Sequence, residues 1–242
     1  MKPAVITPYH QEALPILERC HQSVGRQTVG VRHVLVADGS PRDELDSWDC
    51  THLRLPQCHA DCGNTPRSIG ALHAASLGHH PIFFLDADNW LSPEHVESAL
   101  AVQASDPSID IVVMGRTIVL DDGTVVPPPP EDSLRHFADT STLCCFKGAW
   151  RTLPLWALMP KALAPICDRI LYESFKVLQL KVQWHPARTL WFESHYAAHY
   201  ALAGRTSSTP LHDPDWAALR AAMPELLERY WEATGIRLAA DA

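Results

Sequence analysis

Three β-branched or aromatic runs, each ending in a polar turn and each followed by a helical stretch, constrain this chain more than any other feature. "AVIT" at 4–7 passes through Pro8-Tyr9 into "EALPILERCHQSV", where Leu14, Leu17, Cys20, His21 and Val24 share one face at helical spacing. "VRHVLVADGS" at 31–40 ends in an Asp-Gly-Ser turn, and "TPRSIGALHAASLG" at 65–78 opens a helix after Thr65 with Pro66 in its first turn. "PIFFLDAD" forms a third strand, and "SPEHVESALAVQAS" reads as a helix capped by its first Ser. Strands alternating with helices in this way pair in parallel and need cover on both faces. The expected architecture is α/β, with a mostly parallel, Rossmann-like central sheet flanked by helices.

The second half is less regular. "DIVVMGRTIVLDDGTVV" reads as two strand-like stretches around an Asp-Gly turn. Four prolines at 127–130 offer no ladder donors and predict a surface loop. "DPDWAALRAAMPELLERYWEATG" predicts an Asp-capped C-terminal helix ending at a Gly, with a kink or break at Pro224. No repeat and no Gly/Ser linker divides the chain, so a single domain over 1–242 is expected.

Composition excludes some functions. A formal net charge of −8 without a basic stripe argues against a nucleic-acid partner. The "MKPAVITPYH" start lacks a signal-length apolar region, and no run is long enough to cross a bilayer, so a cytoplasmic location is expected. Seven cysteines, at 20, 50, 58, 62, 144, 145 and 167, are expected to be reduced thiols. Cys50, His52, Cys58, His59 and Cys62 form an alternative set of zinc ligands, although no C-x-x-C pair is among them.

In an open α/β sheet, ligands bind outside the carboxyl ends of the strands. The three strand ends here are Thr7-Pro8-Tyr9, Asp38-Gly39-Ser40 and Asp86-Ala87-Asp88. Tyr9 offers a ring for stacking and Asp38 an acceptor for a base N–H, while Asp86 and Asp88 offer the hard oxygens that Mg²⁺ or Mn²⁺ takes beside phosphates. Taken singly, Asp-Gly-Ser is an ordinary turn, and the acidic pair can equally cap the helix near Ser92. Jointly they outline a nucleotide-diphosphate site.

These stretches, with "VITPYHQEALPILERCHQSVGRQT", "HVLVADGSPRD", "TPRSIGALHAA" and "FFLDADNW" in order, resemble the family 2 glycosyltransferases of GT-A fold over most of residues 3–200. The resemblance implies a nucleotide-sugar-binding half at 1–115, an acceptor-side half at 116–212 and a C-terminal helical segment at 213–242. It implies that Thr7 and Tyr9, next to Pro8, contact the nucleobase, that Asp38 accepts from the base ring, and that Arg67 lies against base or diphosphate. Asp86, with Ala87 beside it, would face ribose or sugar, and Asp88 of the D-x-D motif would ligate a divalent metal, Mn²⁺ or Mg²⁺. The chain departs from the family pattern in having Ala37 before Asp38, Ser68 after Arg67, and Cys167 before Asp168, where the family often has Asp, Asn and Glu.

Inverting transfer needs a base for the acceptor hydroxyl, and Asp168 in "LAPICDRILYESF" falls where the family has its downstream acidic motif. On local sequence alone, Asp168 is equally a helix N-terminal Asp. His195 falls where the family has a C-terminal metal-ligating His and is preferred to His199, four residues on. One of Trp150, Trp156, Trp184 and Trp191 is expected to stack on the acceptor, although core filling is the commoner use of Trp. The expected activity is metal-dependent, inverting transfer from a nucleotide-sugar, foremost a UDP-sugar, to a saccharide or other hydroxyl acceptor. The alternatives are a non-catalytic nucleotide-sugar or carbohydrate-binding domain and, less favoured for want of a Gly-rich basic loop, a nucleotidyltransferase.

Overall fold

The computed structural model describes residues 2–128, 138–207, 210–211 and 213–239. Strand β1 (Ala4–Tyr9) is buried along its whole length between two parallel neighbours, β2 (Arg32–Asp38) and β4 (Ile82–Phe84), with β3 (Thr51–Leu55) beyond β2. Alternation along the strand divides its side chains between two cores. Ala4 and Ile6 pack beneath α2 (Asn64–Ser76), whereas Val5 packs beneath α1 (Leu14–Gly25) and α3 (His95–Ser105). Cover on both faces explains why β1, β2 and β4 read as unbroken apolar runs. Helix α2 lies tightly on the sheet because Gly70 has no side chain; a Cβ there would fall 2.7 Å from Cγ2 of both Ile6 and Val36.

Beyond β4, the antiparallel strand β7 (Leu143–Cys145) separates it from β6 (Ile111–Val119). Strand β8 (Val182–Glu193) runs parallel to β6, and β5 (Trp90–Leu91) closes the edge antiparallel to β8. The order is β3-β2-β1-β4-β7-β6-β8-β5. Parallel pairings predominate, as expected, and every antiparallel one involves β5 or β7, strands of two and three residues that are too short to carry a periodic signal. A bulge near Gly115, whose absent Cβ leaves room for the Ala187 carbonyl, interrupts the β6–β8 register. The end of β8 pairs with β5 just past Asp88, which brings Glu193 to the exit of β4.

Helices α4 (Leu155–Leu158), α5 (Cys167–Val177) and α7 (Trp216–Thr234) extend the core on the α2 face, and α6 (Ala197–Leu202) follows β8. Asp215 caps α7 through a 2.9 Å bond from the Ala218 amide, and Gly235 ends it at φ +72°. Pro224 does not break α7, because Leu226, Leu227 and Tyr230 beyond it are buried in the core. The second stretch expected in the 111–126 segment is reduced to one bridge, Val119 to Val125. Ser92 does not cap α3 as expected; Gln27 of the loop after α1 does so across the structure, its Oε1 accepting from the Val96 amide. The predicted proline loop at 127–130 lies partly outside the described residues, and its first two prolines are exposed. Among the described residues, no helix is long and apolar enough to cross a membrane.

Candidate active site

The exits of β1, β2 and β4 meet the end of β8 around a cleft of about 520 Å³. Pro8, Tyr9, Asp38, Arg67, Asp86, Ala87, Asp88 and His195 all line it, so it gathers eight residues predicted from the sequence. The turn between β4 and β5 is held from both sides. Ser141 Oγ accepts from the Asp86 amide at 3.0 Å and from Asn89 Nδ2 at 3.2 Å, and Asn89 Oδ1 accepts from the Glu193 amide at 3.0 Å. Arg19 of α1 adds a second tie, donating to the Asp88 carbonyl at 2.6 Å and pairing with Glu193 at 2.7 Å.

The two carboxylates of the turn differ. Asp86 accepts from Arg67 Nη2 at 2.6 Å, and Arg67, 2% exposed, also donates to Asn64 Oδ1 at 3.0 Å. Asp88 forms no ion pair among the described residues. Burial, then the negative charges of Asp86 and Glu193, push its pKa up to about 8. Such an excess of negative charge is what a divalent cation relieves, and hard carboxylate oxygens suit Mg²⁺ or Mn²⁺, so the residues present fit a metal of that class.

A second cavity, of about 280 Å³, adjoins the first and shares Cys62, Arg67, Asp86, Phe192 and Tyr196 with it. Asp168 lines this second space from the first turn of α5, its Oδ1 accepting from the Arg169 amide at 2.8 Å. Burial and the charge of Asp139 push its pKa up to about 6. Asp139 pairs with Arg116 at 2.9 Å and accepts from the Ser141 amide, so one short segment braces both the acidic turn and part of the lining that the second cavity shares with Asp168. Tyr196, common to both cavities, has its hydroxyl pKa raised by burial and by Asp139 and Asp168.

No protein-family model and no curated protein matches the chain. Solved structures do. The chain superposes on TarS 1-349 of S. aureus in complex with UDP-GlcNAc with a TM-score of 0.61 and 13% identity, over all of this chain and 69% of that one. For the UDP complex of the same fragment the TM-score is 0.61 with 14% identity, over 96% and 72%. A longer TarS structure gives 0.59 and 15%, and there the chain spans 44% of the neighbour's length. The fold is of the GT-A type.

Within this GT-A-type frame, Thr7 is the exception among the expected site residues. It is fully buried, bonded to His33 Nε2 at 3.0 Å and facing Cys20 Sγ at 3.8 Å; it shares a strand face with Tyr9 but sits one pleat further inside β1, beneath α1 and short of the strand exit. Tyr9 lines the cleft with 2% of its surface exposed, and its hydroxyl is taken by His52 Nε2 at 2.7 Å and the Arg42 amide at 3.0 Å. Asp38 accepts from His59 through both the amide, at 3.0 Å, and Nδ1, at 2.6 Å, so it tethers the 58–60 loop as well as facing the cleft. His195 is 44% exposed in the cleft, 3.8 Å from Glu193. His199 is buried, with Nδ1 2.6 Å from Ser194 Oγ.

The zinc set suggested by Cys50, His52, Cys58, His59 and Cys62 does not gather. His52 points to Tyr9 and Asp46, His59 to Asp38, and the Cys50 thiol to the Leu45 carbonyl. None of the four expected tryptophans lines either cavity. Trp156 is fully buried against Phe84, Trp184 donates to Tyr172, and Trp191 stacks on Trp90. Trp216, read from sequence only as helix, lines the second cavity instead. Glu12, Arg116, Asp139, Phe192, Glu193 and Tyr196 were also missed; only Asp139 carried a local signal, as an Asp ahead of Thr-Ser-Thr.

Proposed function

We propose that the chain is a metal-dependent glycosyltransferase of the family 2 type, moving a sugar from a UDP-sugar to an acceptor hydroxyl with inversion. The observation that carries this reading is the pairing of two adjoining cavities, one bearing Asp86 and Asp88 and the other bearing Asp168 with a pKa of about 6. The UDP and UDP-GlcNAc complexes of the similarly folded TarS support the choice of donor.

In this reading the larger cleft takes the nucleotide-sugar, with Asp38 accepting from the base and the Asp86–Arg67 pair held rigid beside the sugar-diphosphate. Asp88, with His195, would hold the divalent cation, which when bound neutralises charge building on the leaving diphosphate. Asp168 accepts the proton of the acceptor hydroxyl in the adjoining cavity. A carboxylate poised near pH 6 is unprotonated at neutral pH, yet more basic than an exposed Asp. Attack from that side, opposite the departing diphosphate, inverts the anomeric centre.

The test is a thermal-shift panel of nucleotides with and without Mn²⁺, followed by release of UDP from UDP-sugars. UDP with Mn²⁺ should stabilise the protein most. Asp168→Asn should keep that stabilisation and lose transfer by roughly two to four orders of magnitude. Stabilisation by UDP no greater than by inorganic phosphate overturns the reading.

A further inference from the structure

A second group of ligand-type side chains sits at the other end of the large cleft. Among the described residues, His10, Asp38 and Cys58 are the one set of three or more His, Cys, Asp or Glu side chains whose ligand atoms all lie within 4.8 Å of one another. They come from three separate places, the end of β1, the end of β2 and the loop after β3, and all three line the cleft.

The hydrogen bonding leaves the right atoms available. His10 Nδ1 lies 2.7 Å from the Asp38 main-chain carbonyl, which can only accept. Nδ1 is therefore the protonated nitrogen, and Nε2 keeps its lone pair. That Nε2 faces Cys58 Sγ at 4.0 Å. On the carboxylate, Oδ1 takes the short bond from His59 Nδ1, whereas Oδ2 lies 3.7 Å from Cys58 Sγ and has only longer amide contacts, at 3.2 and 3.4 Å. His59 thus orients the carboxylate from behind, and a main-chain carbonyl orients the imidazole, the outer-shell arrangement that metal ligands have. Tetrahedral Zn²⁺ with Zn–S near 2.3 Å and Zn–N or Zn–O near 2.0–2.2 Å would set sulfur about 3.5 Å from each of the other donors. The observed separations of 4.0 and 3.7 Å need only a slight contraction.

We propose that His10, Asp38 and Cys58 form a binding site for a soft divalent cation such as Zn²⁺, separate from the Asp88 carboxylate, with its remaining coordination positions open to the cleft; it shares Asp38 with the proposed base contact, so that cation and nucleotide compete for this carboxylate. Binding takes Cys58 as thiolate, and the thiol proton leaves to solvent. An imidazole, a thiolate and a carboxylate suit Zn²⁺ or Co²⁺ better than Mg²⁺, so the two ends of the cleft would select different ions.

The site can be tested without nucleotide or turnover, so that failure here leaves the proposed activity untouched and the reverse also holds. The reduced, metal-free protein is titrated with Co²⁺ while the near-ultraviolet thiolate-to-cobalt absorption is followed, and Zn²⁺ affinity is measured by competition. Wild type should bind with that absorption. Cys58→Ser should abolish it, and both Cys58→Ser and His10→Ala should weaken Zn²⁺ binding at least about tenfold. Cys58 is exposed, so its serine variant should fold, and Cys50→Ser, a thiol outside the group, should change neither reading. Absence of the band in wild type, its persistence in Cys58→Ser, or unchanged Zn²⁺ affinity in both variants would overturn the site.

Discussion

Asp86 and Asp88 are two residues apart on one turn, yet Arg67 neutralises the first at 2.6 Å while the second faces the negative charges of Asp86 and Glu193. A rigid, compensated carboxylate thus stands beside one without an ion-pair partner among the described residues. The pair also has an internal asymmetry. Arg67 is almost fully buried, whereas the Asp86 side chain is 34% exposed.

Removing either partner should therefore cost different amounts. Asp86→Ala strands a buried guanidinium and should lower unfolding free energy by about 3 kcal/mol, whereas Arg67→Met leaves a carboxylate that water can reach and should cost about 1 kcal/mol. Urea denaturation of the two variants measures the difference. Equal losses would mean that solvent reaches Arg67 as readily as Asp86.

Asp168 gives a pH dependence of defined sign. Its folded pKa, about 6, lies above the ordinary 3.8, so across that window the folded chain holds a proton that the unfolded chain has released. Stability from this group is present below the window and falls as pH rises through it. Asp168→Asn should remove that decline from melting temperatures recorded across the range. If the chain acts as proposed, with Asp168 as base, transfer by wild type should fall about tenfold per pH unit below pH 6, as Asp168 becomes protonated. Asp139→Asn, which removes a neighbouring negative charge, should move this acid limb to lower pH.

The two histidines after β8 should separate cleanly. His195→Ala removes an exposed ring from the cleft and should weaken Mn²⁺–UDP binding with little change in melting temperature. His199→Ala leaves the Ser194 hydroxyl, buried and 2.6 Å away, without that ring and should cost about 1–2 kcal/mol of stability while Mn²⁺–UDP affinity holds. Calorimetry and denaturation on the same variants decide it, and equal Mn²⁺–UDP affinity in wild type and His195→Ala removes His195 from the metal site.

Gly39 is constrained twice. Its φ is +77°, and a Cβ there would overlap the backbone of Gln57 and Cys58. Gly39→Ala should cost more than about 1 kcal/mol and, by pushing the 58–60 loop off Asp38, weaken UDP binding as well. Loss of stability without loss of UDP affinity would detach that loop from the nucleotide site.

The strand-and-helix half of this molecule was legible because its signals are local. Apolar runs at 4–7, 31–37 and 82–85, Pro66 in a first turn, and the Asp215 and Gly235 caps each act within a few residues. Strand-exit chemistry followed from them, since parallel strands with helical crossovers must end on one edge, and Pro8, Tyr9, Asp38, Asp86 and Asp88 do meet there. Thr7, two residues short of the end of β1, stays inside the sheet, where it bonds His33.

What lay beyond reach depends on contacts between residues far apart in the chain. Gln27 replaces Ser92 as the cap of α3, Ser141 holds the Asp86 turn, and Asn89 fixes Glu193 beside Asp88. Each partner is a common polar residue with no local reason to be singled out; its role exists only once β7 has inserted beside β4 and β8 has paired with β5. The same holds for Asp168. Its elevated pKa comes from burial and from Asp139, charges and surfaces that reach it through the packed sheet and not along the chain.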